Sequence, residues 1–207
     1  MRAFPLLLAL ALAGCAATKG PLATAATSAA PDWHGVATDD DQQRLRGWRD
    51  SWTKTVAAVR AAGEGAKLDA DTTLFDLDRA LDHAAPPPGD YRCRWIKLGS
   101  AAKQVAAFTA YPAGPCRIAA SGKLLRFRFL HGAQRPRGIL FPDEPDRDVF
   151  LGTLELSDET RALEYGRDQK RDMAGYVARI GGHRWRLILP QPHFESLFDV
   201  IEIIPAA

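Results

Sequence analysis

The chain is poor in the residues that carry most catalytic chemistry. It has three cysteines and five histidines in 207 residues. His34, His83, His131, His183 and His193 include no pair one helical turn apart, and no H-E-x-x-H occurs, so a helix-borne metal site has no support. His193-Phe194-Glu195 has the H-x-E form of the zinc deaminases, and Pro115-Cys116 matches half of their P-C-x-x-C. Ala119 stands where the second cysteine is required, so that ligand set is incomplete. There is no G-x-S-x-G elbow, no G-x-x-x-x-G-K and no G-x-G-x-x-G. Ser196 has Glu195 beside it but no recognisable oxyanion loop. No catalytic set, metal or cofactor is expected. An excess of one charge is missing too. Lys and Arg number 27 against 25 Asp and Glu, a net charge of +2, so the chain as a whole is not an electrostatic nucleic-acid binder. Long apolar runs are absent except for Phe4 to Ala13, about half of the ~20 residues that span a bilayer.

What is present begins with that run. Arg2 precedes it and Leu12-Ala13-Gly14-Cys15 follows it. The order of basic start, apolar run and cysteine resembles the bacterial lipobox. The resemblance implies cleavage before Cys15, acylation of its thiol, and a membrane partner reached through that anchor. Ala16, where aspartate would imply retention in the inner membrane, implies the outer membrane facing the periplasm. Residues 1–14 are then a signal peptide. Residues 15–31, rich in Ala, Thr, Ser, Gly and Pro, are a tether with nothing to bury. Residues 32–205 remain as one domain, long enough to bury a core. With Cys15 lipidated, Cys93 and Cys116 are left in an oxidising compartment. They read as a disulfide contributing about 3 kcal/mol by loop entropy, with two separate buried thiols as the alternative.

The apolar period divides the domain. From 38 to 83 it is helical. Thr38 is an N-cap with Asp41 three residues on, and Asp39, Asp40 and Asp41 load the first turn with favourable charge. Leu45, Trp48, Trp52, Val56 and Val59 form one stripe, and Gly63 ends the helix. The tryptophan stripe reads as packing against a sheet, with a ligand platform as the alternative. Leu74, Leu77 and Leu81 predict a second, short helix capped by Asp71, stopped by Pro86-Pro87-Pro88-Gly89.

From 90 to 205 the period approaches two. Strands are predicted at 91–98, 117–120, 124–130, 138–141 (closed by Pro142), 149–156, 173–180, 184–189 and 198–204. Leu125, Phe127 and Phe129 alternate with Arg126 and Arg128. Trp185, Leu187 and Leu189 oppose Arg184 and Arg186, and Gly152 suggests a bulge or corner. Helices first and strands later argue an α+β fold, with a mostly antiparallel, strongly curved sheet or small β-barrel after a helical N-terminal part. The helix would close one barrel end or cover an edge.

Gly89-Asp90-Tyr91-Arg92-Cys93-Arg94, Gln134-Arg135-Pro136, Phe150-Leu151-Gly152-Thr153, Tyr165-Gly166, Arg171-Asp172, Arg184-Trp185-Arg186-Leu187 and Phe194 to Glu202 occur in this order. Together they resemble a family of bacterial envelope proteins, domain of unknown function 4893. The resemblance implies a single envelope domain and no particular chemistry.

Arg126, Arg128, Arg167, Arg171, Arg184 and Arg186, with Tyr176 and Trp185 for stacking, are the candidate binding residues. They read either as an ion-paired outer face that protects sheet edges or as a patch for an anionic envelope ligand or an envelope protein. Three functions stand open. The first is a tethered binding domain with an apolar pocket of Phe127, Phe129, Tyr176 and Trp185 or an arginine patch. The second is a hydrolase inhibitor, since Tyr91-x-Cys93 in a two-cysteine barrel is similar to lysozyme-inhibitor lipoproteins and Ser121-Gly122 is a fragment of an inhibitory loop. The third is a hydrolase using two carboxylates from Asp143, Glu144, Asp146, Asp148, Asp158, Glu159, Asp168, Asp172 and Glu195. Cys15→Ser is expected to abolish acylation and to leave the protein unprocessed or soluble in the periplasm. Membrane fractionation with a labelled fatty acid checks this, and unchanged acylation and sedimentation would overturn it.

Overall fold

Inward and outward residues alternate along nine strands because a single sheet curls round until its ends meet. The protein is described from a computed structural model covering residues 30–100, 102, 105–157 and 159–206. The segment that resembles a lipobox, with Cys15, and nearly all of the expected tether lie outside the described residues. The strands are β1 (Gly89–Leu98), β2 (Phe108–Ala110), β3 (Gly114–Ser121), β4 (Leu124–Phe129), β5 (Gln134–Glu144), β6 (Arg147–Leu156), β7 (Asp172–Gly181), β8 (Arg184–Pro190) and β9 (Phe198–Pro205). Each of β3 to β9 pairs antiparallel with the next. β9 then pairs with β1 from Tyr91–Pro205 to Leu98–Phe198. On its other side β1 pairs with β3 through Gly89–Cys93 and with β2 through Ile96–Leu98. The result is a closed eight-stranded antiparallel barrel, with β2 completing the partner strand of β1.

Side chains fill the barrel. Tyr91, Cys93 and Trp95 of β1, Phe127 and Phe129 of β4, Phe150 and Leu154 of β6, Trp185 and Leu187 of β8, and Ile201 and Ile203 of β9 make one buried cluster. Cys93 and Cys116 form a disulfide inside it, with Cα atoms 5.8 Å apart. Gly138 and Gly152 are directly paired, and the Phe150 ring takes the space their side chains would need. A Cβ on Gly152 would lie 2.2 Å from the Arg137 carbonyl oxygen and 2.5 Å from that ring. There is no register shift at Gly152, so this glycine makes a corner; the bulge sits at Pro142–Glu144. That bulge lets β5 run through Pro142, the position where the sequence predicts its end.

The helices lie against the outer wall of the barrel rather than over an end or an edge. α1 (Asp39–Arg46) and α2 (Trp48–Ala61) are the single helix expected from the stripe, interrupted at Gly47. Thr38 caps α1, its hydroxyl accepting from the Asp41 N–H. An unexpected short helix, α3 (Gly65–Asp69), comes next; of the second helix only one turn forms, α4 (Thr72–Phe75), capped by Asp71, and Leu77 and Leu81 lie beyond it. The chain then straightens, and Leu81 forms a bridge to Arg179. Leu45, Trp48 and Val59 pack on the outward residues Ile96, Leu98, Val149, Leu151, Ala174, Tyr176, Ile188, Phe198 and Val200. No helix among the described residues is long and apolar enough to cross a membrane. Gly152→Ala is expected to cost about 3 kcal/mol, the upper range for overpacking a filled core. Urea denaturation checks it, and a variant as stable as the wild type would contradict the corner.

Candidate functional site at the barrel mouth

The two barrel ends differ. At one end β3–β4, β5–β6 and β7–β8 turn through two residues each: Gly122-Lys123, Pro145-Asp146 and Gly182-His183. At the other end the connections are 99–107, 130–133, 157–171 and 191–197. Loops free of ladder bonds on a rigid frame are where binding residues concentrate. A cleft of about 260 Å³ opens at this looped end, between Trp95, Lys97, Tyr111, Pro112, Phe129, His131, Gly132, Ala133, Gln134 and Glu195.

Lys97 lines it, and Asp199 is buried beside Lys97 without belonging to the lining, because strand parity turns both inward. In β1, Tyr91, Cys93, Trp95 and Lys97 share one face; in β9, Asp199, Ile201 and Ile203 do. Closure pairs Lys97 directly with Asp199. Lys97 Nζ donates to Glu195 Oε2 at 2.6 Å and to Gln134 Oε1 at 2.8 Å, and lies 4.9 Å from the Trp95 ring centroid. Gln134 Nε2 donates to Glu195 Oε1 at 3.4 Å, closing a three-membered ring of polar side chains. The Lys97 side chain is 7% exposed while that of Glu195 is 49% exposed. The cation is therefore built in and its counter-ion is not.

Glu195 is held in an unusual backbone. The Ser196 N–H donates to the Phe194 carbonyl at 2.8 Å around Glu195, whose φ is 68°. A three-residue turn with positive φ is rare and strained. The Ser196 hydroxyl donates to Asp199 Oδ1 at 2.5 Å. Asp199 Oδ2 and the Trp95 indole N–H, both buried, meet no partner at full hydrogen-bond geometry among the described residues, but the indole is close enough to the carboxyl to act on it. Burial pushes the Asp199 carboxyl up to about 7; the Lys97 charge, Ser196 and the nearby Trp95 indole oppose that without cancelling it.

A second polar seam carries the mouth loops on α1. The Tyr165 hydroxyl donates to Asp41 Oδ2 at 2.5 Å. Arg44 pairs with Asp41 at 3.2 Å, donates to the Asp172 carbonyl at 3.2 Å, and lies 3.1 Å from His193 Nε2. Burial, then the Arg44 charge, holds the His193 imidazolium below its ordinary range. Loop 191–197 is thus pinned by His193 to the helix and by Glu195 to the cleft.

The eight candidate binding residues are not on one surface. Trp185 is inside the barrel, edge-on to Tyr91 at 5.9 Å. Tyr176 points the opposite way, under α1 and α2, its hydroxyl 3.4 Å from the Leu45 carbonyl. The pocket of Phe127, Phe129, Tyr176 and Trp185 is therefore not formed: three of the rings fill the core and one faces the helices. Arg186 is buried and donates to the carbonyls of Leu74, Asp76 and Arg79 at 2.9, 2.6 and 3.2 Å. Burial pulls its guanidinium down to about 10. Arg184 pairs with Asp71 and Glu202. Arg171 pairs with Glu159 and Asp168, and Arg167 is exposed on loop 157–171. Arg126 and Arg128 stand on the outer face of β4. Of the carboxylates singled out from sequence, Glu195 lines the cleft. No cluster of three His, Cys, Asp or Glu side chains able to hold a metal occurs among the described residues. Sequence reasoning missed Lys97, Asp199 and Gln134. The available signal was a charged residue at an inward position of an otherwise apolar strand.

A closed eight-stranded antiparallel barrel, walled outside by short helices and open to a cleft at its looped end, is the class these features define. The chain belongs to the family described as Domain of unknown function (DUF4893), whose family model matches residues 33–203. No curated protein and no solved structure matches it.

Asp199 imposes a pH dependence on stability. Its carboxyl holds a proton in the fold, at about 7, that the unfolded chain releases near 3.8. The native state binds the extra proton between those values, so stability falls as pH rises from about 4 to about 7. Relative to Asp199→Asn, the wild type is expected to lose stability over that interval, about 4 kcal/mol at most from a shift of about three units. Urea titrations of both proteins at pH 4.5, 6 and 8 check this, and parallel curves would refute it.

Proposed function

We propose that the protein is an envelope lipoprotein that binds a small amphipathic molecule in the mouth of its barrel, as a non-enzymatic binding domain. The lipobox ending in Cys15 supports anchoring in the bacterial outer membrane facing the periplasm. The observation that carries the binding reading is the floor of the cleft. A buried cation, Lys97, is presented between the rings of Trp95, Tyr111 and Phe129, and its counter-ion Glu195 is half exposed.

The rim favours an apolar body on the ligand. Eight large apolar side chains are exposed among the described residues; five of them, Val105, Leu130, Leu163, Phe194 and Leu197, belong to the mouth loops, and Tyr111 lines the cleft. Exposed apolar groups gathered around a concave site indicate binding. The volume suits a molecule of one or two rings, with its acceptor head on Lys97 and its apolar part along Trp95, Tyr111 and Phe129. The inhibitor reading lacks a matching observation: strands β3 and β4 turn tightly at Gly122-Lys123, with no protruding loop at Ser121-Gly122.

Native mass spectrometry of the tethered protein purified from its own envelope tests the reading. Wild type is expected to carry a bound small molecule, and Lys97→Met to hold it at least about tenfold more weakly, the value of one charge-assisted hydrogen bond. A folded wild-type protein isolated with nothing bound, or a Lys97→Met variant that retains the molecule fully, would count against it.

A further inference from the structure

The helices leave one part of the barrel wall bare, and that part carries arginines. Outward positions of β1, β6, β7, β8 and β9 are buried beneath the helical layer. On β3, β4 and the first half of β5 the outward residues include Arg117, Arg126, Arg128, Arg135 and Arg137. Three of these stand in one cross-strand row, with Arg117 opposite Arg128 and Arg128 opposite Arg137. Like charges directly opposite each other destabilise a sheet. Acids offset only part of this: Arg117 pairs with Asp90, while Arg135 and Arg137 share Glu155. Arg128 has no polar partner among the described residues, and Arg126 has the Ser121 hydroxyl at 3.2 Å.

The row continues on β6 with Thr153, directly opposite Arg137. Thr153 is 4% exposed, and its hydroxyl has no hydrogen-bond partner among the described residues. Residues 161–165 fold over this position and make a groove of about 340 Å³, lined by Arg126, Arg137, Thr153, Arg161 and Glu164 above the backbone of Gly138 and Gly152. Arg161 also has no polar partner among the described residues. Asp172 follows Thr153 in the row, buried; one of its oxygens accepts the Gly166 N–H and the other has no hydrogen-bond partner among the described residues. A buried hydroxyl donor and three guanidinium groups converge on one concavity, with Glu164 as the acid in its lining.

We propose that this groove is a second binding site, for a phosphate group, distinct from the mouth cleft. Guanidinium groups bind the oxygens of phosphate in pairs, and a threonine hydroxyl supplies a further donor to such an anion. The groove neutralises the anion and the anion relieves the repulsion along the Arg117–Arg128–Arg137 row. The phosphate belongs either to a soluble phosphorylated molecule or to a phospholipid headgroup.

Backbone-amide NMR titration of the full chain with inorganic phosphate tests the site. Separate arms use vesicles of phosphatidylglycerol with phosphatidylcholine and vesicles of phosphatidylcholine alone. Saturable shifts are expected at Thr153 and its neighbours on β5. Arg126→Gln with Arg161→Gln should weaken phosphate binding at least about tenfold. Arg92→Gln, an exposed arginine outside the groove, should leave it unchanged. Thr153→Val, which removes the unpaired hydroxyl at constant shape, should lower affinity without lowering thermal stability. Binding to the anionic vesicles in competition with phosphate supports the lipid headgroup, and phosphate binding without vesicle binding supports the soluble ligand. No saturable shift, shifts away from the groove, or an equal loss from Arg92→Gln would overturn the proposal.

Discussion

When β9 pairs with β1 along its whole length, the sheet loses both edges and acquires an inside. Every other property of the domain follows from that closure. An eight-stranded barrel has an interior just wide enough for side chains, so residues of one parity must be large, apolar and complementary. Phe127, Phe129, Phe150 and Trp185 meet that demand, and Gly138 and Gly152 make room for the Phe150 ring where two strands pinch together. Closure also brings Lys97 and Asp199, from the two ends of the β-rich sequence, into direct register. The polar floor of the mouth is a product of topology rather than of any local motif.

Much of the fold was legible in the alternation of residue types. Arg126 and Arg128 against Phe127 and Phe129, or Arg184 and Arg186 against Trp185 and Leu187, give the face of each strand correctly. The cysteine pair was legible by counting. β2 was not, because three residues carry too little periodicity, and β5 was cut short because a proline usually ends a ladder and here a bulge absorbs it. The site was less legible than the fold. Parity marks Lys97 and Asp199 as inward, but their meeting depends on β1 and β9 being neighbours. The arginines were visible as a class and invisible as groups. Arg184 and Arg186 serve the helix–barrel seam, whereas Arg126 and Arg128 face away from it.

That seam shows how an outer layer with short helices can be made rigid. α3 and α4 have five and four residues and little helical stability of their own. Arg186 supplies donors to three carbonyl oxygens, one in α4 and two in the segment that follows it, and Arg44 links α1 to β7 and to the loop bearing His193. Buried guanidinium groups act there as cross-braces, satisfying backbone acceptors that irregular chain would otherwise leave open.

The unequal ends of the barrel have a directional consequence. Trp33, near the start of the described chain, donates its indole N–H to Asp143 beside the β5–β6 turn, and β9 finishes against Tyr91 at the same end. Both chain termini therefore leave from the closed end. Any attachment made through residues upstream of Trp33 would join the domain at the end opposite its rim.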